Sequence, residues 1–402
     1  MTAISEATRQ RAERTRAMDL RIEGGRVLIG ERLEDACLDV SSADGVIGAI
    51  DSEAPARRRL DAEGLLVLPG IVDIHGDAFE RQMMPRPGVH FPMDIALRDS
   101  DRQAVANGIT TVFHGVTWSW EPGLRGPENA RTILEHIEQL RQSLGADTRF
   151  HLRHETFNLD AEPEILNWLS DRRIDLLAFN DHMLLADEAS LRPKKLGPMV
   201  ERSGLSREAF LGLAERVRSR ASEVPASIER MARAAIAHGV PLLSHDDASP
   251  DQRRWFRARG CRLAEFPTTV ETAQEAASQG DDIVLGAPNV VRGGSHTGWI
   301  DAKDMIRRGF CSVLASDYYY PAQLLAAFRL TKEDVLPLAA AWALISATPA
   351  KAAQLDDRGS IAKGRRADLI LVEAQDERPR VVATIVAGRI VHLTEADRIA
   401  ST

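Results

Sequence analysis

The pattern of hydrophobic and polar positions divides the chain into a β-rich start, a mixed middle and a β-rich end. Between about residues 69 and 351, apolar runs of strand length alternate with segments of helical periodicity. In the segment ASIERMARAAIAHG, for example, Ile228, Met231 and Ala235 share one helix face, and Gly239 follows the last turn. Eight runs are predicted to be strands: LPGIVDIH, ITTVFHGVT, RFHLRHETF, IDLLAFNDH, VPLLSHDD, RLAEFPTT, DIVLGAPNVV and SVLASDYY.

Eight strands that alternate with helices predict an α/β fold of the (β/α)8 TIM-barrel type. A doubly wound open sheet is the main alternative. No helix in the sequence is opened by a G-x-G-x-x-G or G-K-[ST] motif, which favours the barrel.

Both ends of the chain have short Val-, Ile- and Leu-rich runs separated by turn residues. We expect these two ends to pair with each other beside the barrel. The predicted organisation is a mobile tail over residues 1–17, the N-terminal part of a small β-sandwich over 18–66, the barrel over 67–355, and the C-terminal part of the sandwich over 356–402.

Composition narrows the class of protein. Hydrophobic residues make up 44% and charged residues 27%, as in ordinary globular proteins, and the formal net charge is −8. An acidic balance argues against nucleic acid or a membrane surface as partner. The three cysteines, Cys37, Cys261 and Cys311, are scattered, which is typical of reduced thiols. The N-terminus shows no apolar leader, and the apolar stretch VLPLAAAWALISATPA is broken by two prolines. We therefore expect a cytoplasmic protein.

Histidines and acids stand where the predicted strands end. Because catalytic groups of such barrels cluster at the C-terminal ends of the strands, these side chains are expected to meet at one rim. Imidazoles and carboxylates from several strands are what a divalent metal centre requires. The predicted ligands are His75, Asp77, Glu155, His182, His245 and Asp317, while Glu265 and Asp246 are predicted either as ligands or as residues that orient them. His114, His151 and His154, taken singly, are more typical of buried structural residues.

Two Gly- and Pro-rich segments bring basic and polar residues towards the same rim. Guanidinium groups match phosphate oxygens in a bidentate way, so these segments predict an anionic, phosphorylated substrate. The alternative is ordinary salt bridging at the surface. The predicted substrate-binding residues are Arg81 and Arg86 after the first strand, and Asn289, Arg292, Ser295 and His296 on a loop after the seventh.

The run PGIVDIH, the acids and histidines above, and GSIAKGRRADLILV near the C-terminus resemble the amidohydrolase superfamily of metal-dependent barrel hydrolases. Within it, FERQMMPRPG, LLSHDDAS, AEFPTT, GAPNVVRGGSH and ASDY resemble the diphosphohydrolases of the carbon–phosphorus lyase pathway. That family releases pyrophosphate from α-D-ribose 1-methylphosphonate 5-triphosphate. The resemblance runs from about residue 69 to 317, with the flanking sheets.

The resemblance implies one or two divalent cations, with zinc favoured over Mn, Fe or Ni, and a metal-activated hydroxide that attacks phosphorus. It implies that Asp317 and His245 are catalytic, that Asp317 takes the proton of the water, and that Glu155 bridges the metals. The segment after His182 (MLLADEASLRPKK) differs from the Thr-Pro-Gly-Gln stretch usual in the family. Another phosphorylated or phosphonate compound is therefore an alternative substrate. Also open are a cyclic amidase or deaminase acting at carbon and an inactive scaffold. A homodimer is a further expectation.

Overall fold

The structure, a computed structural model, describes residues 18–86, 88–183, 193–295, 298–374 and 378–401. The predicted tail over 1–17 lies outside this range. The N-terminal strands are β1 (Leu20–Glu23), β2 (Arg26–Ile29), β3 (Arg32–Asp35), β4 (Leu38–Ser41), β5 (Val46–Ile50), β6 (Arg58–Asp61) and β7 (Leu66–Pro69). The central strands are β8 (Ile71–Gly76), β9 (Ile109–Trp118), β10 (Asp147–Glu155), β11 (Leu176–Asn180), β12 (Leu242–His245), β13 (Leu263–Glu265), β14 (Asp282–Gly286) and β15 (Val313–Ala315). The C-terminal strands are β16 (Leu369–Glu373), β17 (Arg380–Val386), β18 (Arg389–Leu393) and β19 (Ile399–Ser401).

Helices follow the central strands, as the alternating pattern predicts. In the described part of the chain the α-helices are Glu80–Met83, Met93–Ala106, Pro127–Leu140, Glu162–Ser170, Pro193–Ser203, Arg207–Arg218, Val224–Ala237, Pro250–Arg257, Val270–Ser278, Ala287–Arg292, Ala302–Arg307, Ala322–Lys332, Leu338–Ala343 and Ala347–Ala352. The helix predicted around Ile228 and Met231 forms, and both side chains are buried. The apolar stretch near residue 340 folds into two short helices.

Strands β8 to β15 form one parallel sheet in sequence order. The sheet closes where β8 meets the end of β15: Gly76 and Asp317 form a parallel bridge, and the N–H groups of Asp77 and Asp317 donate to the carbonyls of Asp317 and His75 at 2.9 and 3.0 Å. Asp73 reinforces the closure, because its buried carboxylate accepts from the Ser316 N–H at 2.9 Å and from its hydroxyl at 2.6 Å. The predicted (β/α)8 barrel is confirmed.

The interior of the barrel is filled by small and branched apolar side chains below the rim. Leu243 and Leu263 belong to this cluster and precede His245 and Glu265 by two residues, so the alternation of strand side chains points both polar residues into the barrel. The cluster contains Val72, Ile74, Phe113, Leu176, Ala178, Leu243, Leu263, Val284, Val313 and Ala315. Its packing gives the polar rim a rigid support.

The two ends of the chain form two sheets, with the strand orders β19-β6-β1-β4-β5 and β18-β17-β16-β7-β2-β3. Strand β16 pairs with β7, and β19 pairs with β6, so each sheet contains strands from both termini. An apolar cluster that includes Leu38 and Leu60 from one sheet and Val67 and Leu371 from the other lies between them. This is the predicted sandwich.

The seventh predicted strand is shorter than its apolar run suggested. Strand β14 ends at Gly286, and a helix begins at once over Ala287–Arg292. Pro288 stands in the first turn of that helix, where its missing N–H costs no hydrogen bond. The prediction of a loop for Asn289 and Arg292 is therefore wrong, since both residues are helical.

Among the described residues, no helix combines the length and the apolar character that a membrane span requires. Cys37, Cys261 and Cys311 are all free thiols.

The junction between sandwich and barrel offers a test of packing. A Cβ at Gly70, between β7 and β8, would lie 2.2 Å from Thr110 Oγ1 and 2.8 Å from its Cβ. We expect Gly70→Ala to lower the free energy of unfolding by about 1–3 kcal/mol, because the buried junction has no room to relax. Chemical denaturation checks this. Gly212→Ala is the control: apart from the backbone of its own helix, the nearest atom is Arg216 Nη1 at 3.7 Å, so it should be neutral or slightly stabilising.

Candidate active site

The structure brings the predicted ligands together at the C-terminal rim of the barrel. His75 lies near the end of β8, Glu155 ends β10, and His245 and Glu265 end β12 and β13. The rings of His75 and His245 stack with their centroids 5.6 Å apart, and those of His182 and His245 meet edge to face at 5.9 Å. Residues at the ends of four strands, together with His182 two residues beyond β11, thus converge at one rim.

Three strand ends turn into the rim through an unusual backbone conformation. Asp246 and Phe266 follow β12 and β13 directly, and Asp317 follows β15 after Ser316; their φ angles are 59°, 54° and 55°. Each N–H donates to a strand-end carbonyl of a neighbouring strand, Asp246 to Glu265, Phe266 to Val284 and Asp317 to His75. Side chains disfavour this left-handed region, and residues held in it are often found at functional sites. The turns fix where Asp246 and Asp317 stand.

Glu265 connects the first and fifth barrel strands. Its two carboxylate oxygens lie 2.7 Å from Nδ1 of His75 and 2.7 Å from Nδ1 of His245. The carboxylate is fully buried; burial would raise its pKa, but the two histidines and His151 hold that pKa well below its usual value. As an ionised acceptor it requires a proton on both Nδ1 atoms, which leaves each Nε2 lone pair available to a ligand. Glu265 was predicted either as a ligand or as a residue that orients ligands, and these contacts are those of the orienting residue.

Glu155 and His182 form a second carboxylate–histidine pair. Oε1 of Glu155 lies 2.5 Å from Nδ1 of His182, and Oε2 accepts the His182 N–H at 3.1 Å. Burial disfavours charge on both, but their mutual attraction outweighs it: the pKa of Glu155 falls to about 2 and that of His182 rises to about 9. These contacts are those of a residue that orients His182, whereas the bridging role given to Glu155 stays a prediction.

The donor atoms suit a divalent cation. Three sets of ligand atoms lie within 4.8 Å of one another in the part of the chain that the structure describes. Two of them face the rim, and we name them the first group (His75, Asp77, Asp317) and the second group (His182, His245, Asp246). The carboxylates that fix Nδ1 of His75, His182 and His245 are the outer contacts typical of metal-ligating histidines. The predicted metal centre therefore fits the residues present, with Glu155 and Glu265 behind the histidines.

The carboxylates of the first group differ in proton affinity. Burial and the neighbouring Asp77 raise the pKa of Asp317 to about 7. For Asp77, burial is outweighed by Arg153 and Arg125, which lower its pKa. A carboxyl group poised near neutral pH can both accept and release a proton during turnover.

Arg153 is the residue of the site that the sequence analysis missed. It lies on β10, two residues before Glu155, and only 4% of its surface is exposed. Its Nη1 donates to Asp77 Oδ2 at 3.3 Å, and its Nη2 lies 3.1 Å from His245 Nε2. An arginine inside a strand whose neighbours are buried, in phase with an inward-facing acid, is a signal that could have found it.

A cavity of about 260 Å³ opens beside these residues. It is lined by His75, Arg153, His245, Asp246, Phe266, Pro267, Leu285, Gly286, Pro288, Asn289, Ser295, Trp299, Ile300, Asp317 and Tyr318. The lining combines polar residues of the rim with apolar side chains, among them Phe266, Leu285 and Ile300. Such a cavity fits a small molecule with one charged end.

The predicted substrate-binding residues are divided by the structure. Asn289 and Ser295 line the cavity, and the amide of Asn289 also holds the chain at Ile300. Arg81 lies near it, with its guanidinium 5.9 Å from the ring of Tyr318. Arg86 and Arg292 are exposed and do not line the cavity. His296 and the segment 184–192 after His182 lie outside the described residues.

His114, His151 and His154 are buried structural residues, as expected. Burial lowers the pKa of His114 to about 4, of His151 to about 3 and of His154 to about 4. The His151 Nδ1 contacts the Ile74 carbonyl at 2.9 Å. Neither ring nitrogen of His154 has a hydrogen-bond partner among the described residues.

Known proteins resemble the chain at two levels. The α-D-ribose 1-methylphosphonate 5-triphosphate diphosphatase of Escherichia coli (strain K12) is 33% identical over 339 residues, which span 81% of this chain and 88% of that protein. A dihydroorotase of Citrifermentans bemidjiense is 38% identical over 98 residues, which span only 24% of this chain and 21% of that protein. The profile of the amidohydrolase family matches residues 212–391.

Among solved structures, the L-hydantoinase (dihydropyrimidinase) of Arthrobacter aurescens superposes with a TM-score of 0.63 over 94% of this chain and 96% of that one. The sequence identity is 16%, so this likeness concerns the fold alone.

Removing one charge from the carboxylate between the two histidines should weaken metal binding. Glutamine at position 265 offers one acceptor oxygen where the carboxylate offers two, so His75 or His245 loses its partner. We expect Glu265→Gln to raise the dissociation constant for Zn²⁺ by about 10–100-fold in a chelator competition. Glu271→Gln, at an exposed position, is the control. Equal affinities in both variants would contradict the role given to Glu265.

A buried, unpartnered histidine predicts sensitivity to acid. The pKa of His154 is about 4 in the folded protein, below the ordinary 6.5, so the unfolded chain binds the proton more readily. The stabilisation is complete above pH 6.5 and is lost as the pH falls towards 4, by up to about 3 kcal/mol. We expect His154→Leu to flatten the decline of the melting temperature across this window. His90→Leu, at an exposed position, should leave the decline as it is.

Proposed function

Because the chain belongs to the amidohydrolase family, we propose that it is a metal-dependent hydrolase that releases pyrophosphate from α-D-ribose 1-methylphosphonate 5-triphosphate or a close analogue. The observation that supports this most strongly is the 33% identity to a diphosphatase over 81% of the chain. The matches to dihydroorotases are local, and the hydantoinase likeness is one of fold.

The proposed reaction is a hydrolysis at phosphorus. An oxygen–phosphorus bond forms between water and the triphosphate, the anhydride bond between the α and β phosphates breaks, and pyrophosphate leaves the 5-phosphate. A divalent cation, when bound, supplies a water of lowered pKa and positive charge towards the phosphoryl oxygens. The residues that could hold it are those of the first or the second group, whose histidines are oriented by Glu265 and Glu155.

The protein's own side chains supply proton transfer and orientation. Asp317 accepts the proton of the attacking water at a carboxylate oxygen, and its pKa of about 7 suits that exchange near neutral pH. Arg153, which lines the cavity, presents a guanidinium to the anionic end of the substrate. The apolar lining residues, Phe266 and Trp299 among them, exclude water from the remainder of the ligand.

An assay of products separates the proposed reaction from its rivals. Protein reconstituted with Zn²⁺ or Mn²⁺ is first incubated with ribose and nucleoside triphosphate analogues, and pyrophosphate release is measured. It is then incubated with hydantoin, dihydroorotate and aminated rings, and ring opening and ammonia release are measured. Pyrophosphate release by the reconstituted protein supports the proposal. Ring opening or ammonia release without pyrophosphate would place the chemistry at carbon.

Replacing the proposed proton acceptor should remove turnover and leave the fold intact. Asparagine tolerates the positive φ of position 317, so Asp317→Asn keeps the turn. We expect pyrophosphate release to fall by about 10²–10⁴-fold, since the amide cannot accept the proton. Asp334→Asn is the matched control, at an exposed position with a φ of 53°. Near-normal turnover in purified, folded Asp317→Asn would refute the proton role.

A further inference from the structure

One guanidinium lies between the two groups of candidate ligands. Arg153 contacts Asp77 Oδ2 of the first group at 3.3 Å and His245 Nε2 of the second group at 3.1 Å. Its two terminal nitrogens therefore join the two groups.

Arg153 affects the two groups differently. Nδ1 of His245 is taken by Glu265, so Nε2 is the nitrogen with a lone pair, and this lone pair faces Arg153 Nη2. A cation in the second group needs that lone pair. In the first group, the contact takes one oxygen of Asp77 and leaves the other, together with Asp317 and His75 Nε2.

The chain is built to hold the guanidinium there. Gly115 on the neighbouring strand β9 leaves room for the side chain, because a Cβ at that position would lie 3.3 Å from Arg153 Cδ. The residue is 4% exposed, and its Nε has no hydrogen-bond partner among the described residues. A buried charge with a carboxylate partner resists displacement, since removing it from Asp77 leaves an unpaired charge behind.

We propose that Arg153 makes this rim a site for one divalent cation, bound by His75, Asp77 and Asp317, while the guanidinium stands in for a second cation beside His245. The proposal rests on the metal dependence of the proposed function.

The stoichiometry of metal binding tests the proposal without any substrate. Metal-free protein is titrated with Zn²⁺ by calorimetry, and the bound metal is counted by elemental analysis after desalting. We expect one equivalent of Zn²⁺ in the wild type and two in Arg153→Met. The control is Arg149→Met, in which an arginine of the same strand that pairs with Asp147 and Asp175 is replaced, and we expect one equivalent there. Two equivalents in the wild type, or one in Arg153→Met, would overturn the proposal.

Two isosteric substitutions locate the cation even where Arg153→Met does not fold. Asp77→Asn removes a charge from the first group and Asp246→Asn removes one from the second. We expect Asp77→Asn to weaken Zn²⁺ binding by at least about tenfold and Asp246→Asn to change it by less than about threefold. The reverse order, or equal losses, would place the cation elsewhere and contradict the proposal.

The two proposals fail separately. One equivalent in the wild type and two in Arg153→Met, with no pyrophosphate released, support the role of Arg153 and contradict the proposed reaction. Pyrophosphate release by a wild type that binds two equivalents supports the reaction and overturns the role of Arg153.

Discussion

The carboxylate of Glu265 is the contact on which the geometry of the rim depends. It joins Nδ1 of His75 to Nδ1 of His245, two residues 170 positions apart in the numbering, and so fixes both rings in one tautomer. A charge buried this deeply is tolerated because two N–H donors satisfy it. Glu155 repeats the arrangement with His182, so the orientation of all three rings is set before any ligand arrives.

The backbone contributes as much to the site as the side chains do. Asp246, Phe266 and Asp317 occupy the left-handed region within two residues of the ends of their strands, and their N–H groups donate to carbonyls of neighbouring strands. The closed barrel supports this strain, because Asp73 and Ser316 fasten the last strand to the first. The rigid apolar interior below then keeps the turns from relaxing.

The sequence alone predicted the barrel and its polar rim because both follow from periodicity: parallel strands end at one edge, so polar residues at strand ends must meet. It could not distinguish a ligand from a residue behind one, since Glu155 and Glu265 differ from Asp317 only in what they contact. Arg153 was missed because a single arginine within a strand gives no spacing motif. The loop assigned to Asn289 and Arg292 was wrong because a helix begins at Ala287, with Pro288 in its first turn.

The pairing of β7 with β16 has a consequence for synthesis on the ribosome. The residues of β7 emerge early, whereas their partners over Leu369–Glu373 are made only after the whole barrel has been translated. Until then one edge of β7 has exposed backbone donors and acceptors and an apolar face without cover. The sandwich therefore cannot be completed until the C-terminal strands have been made.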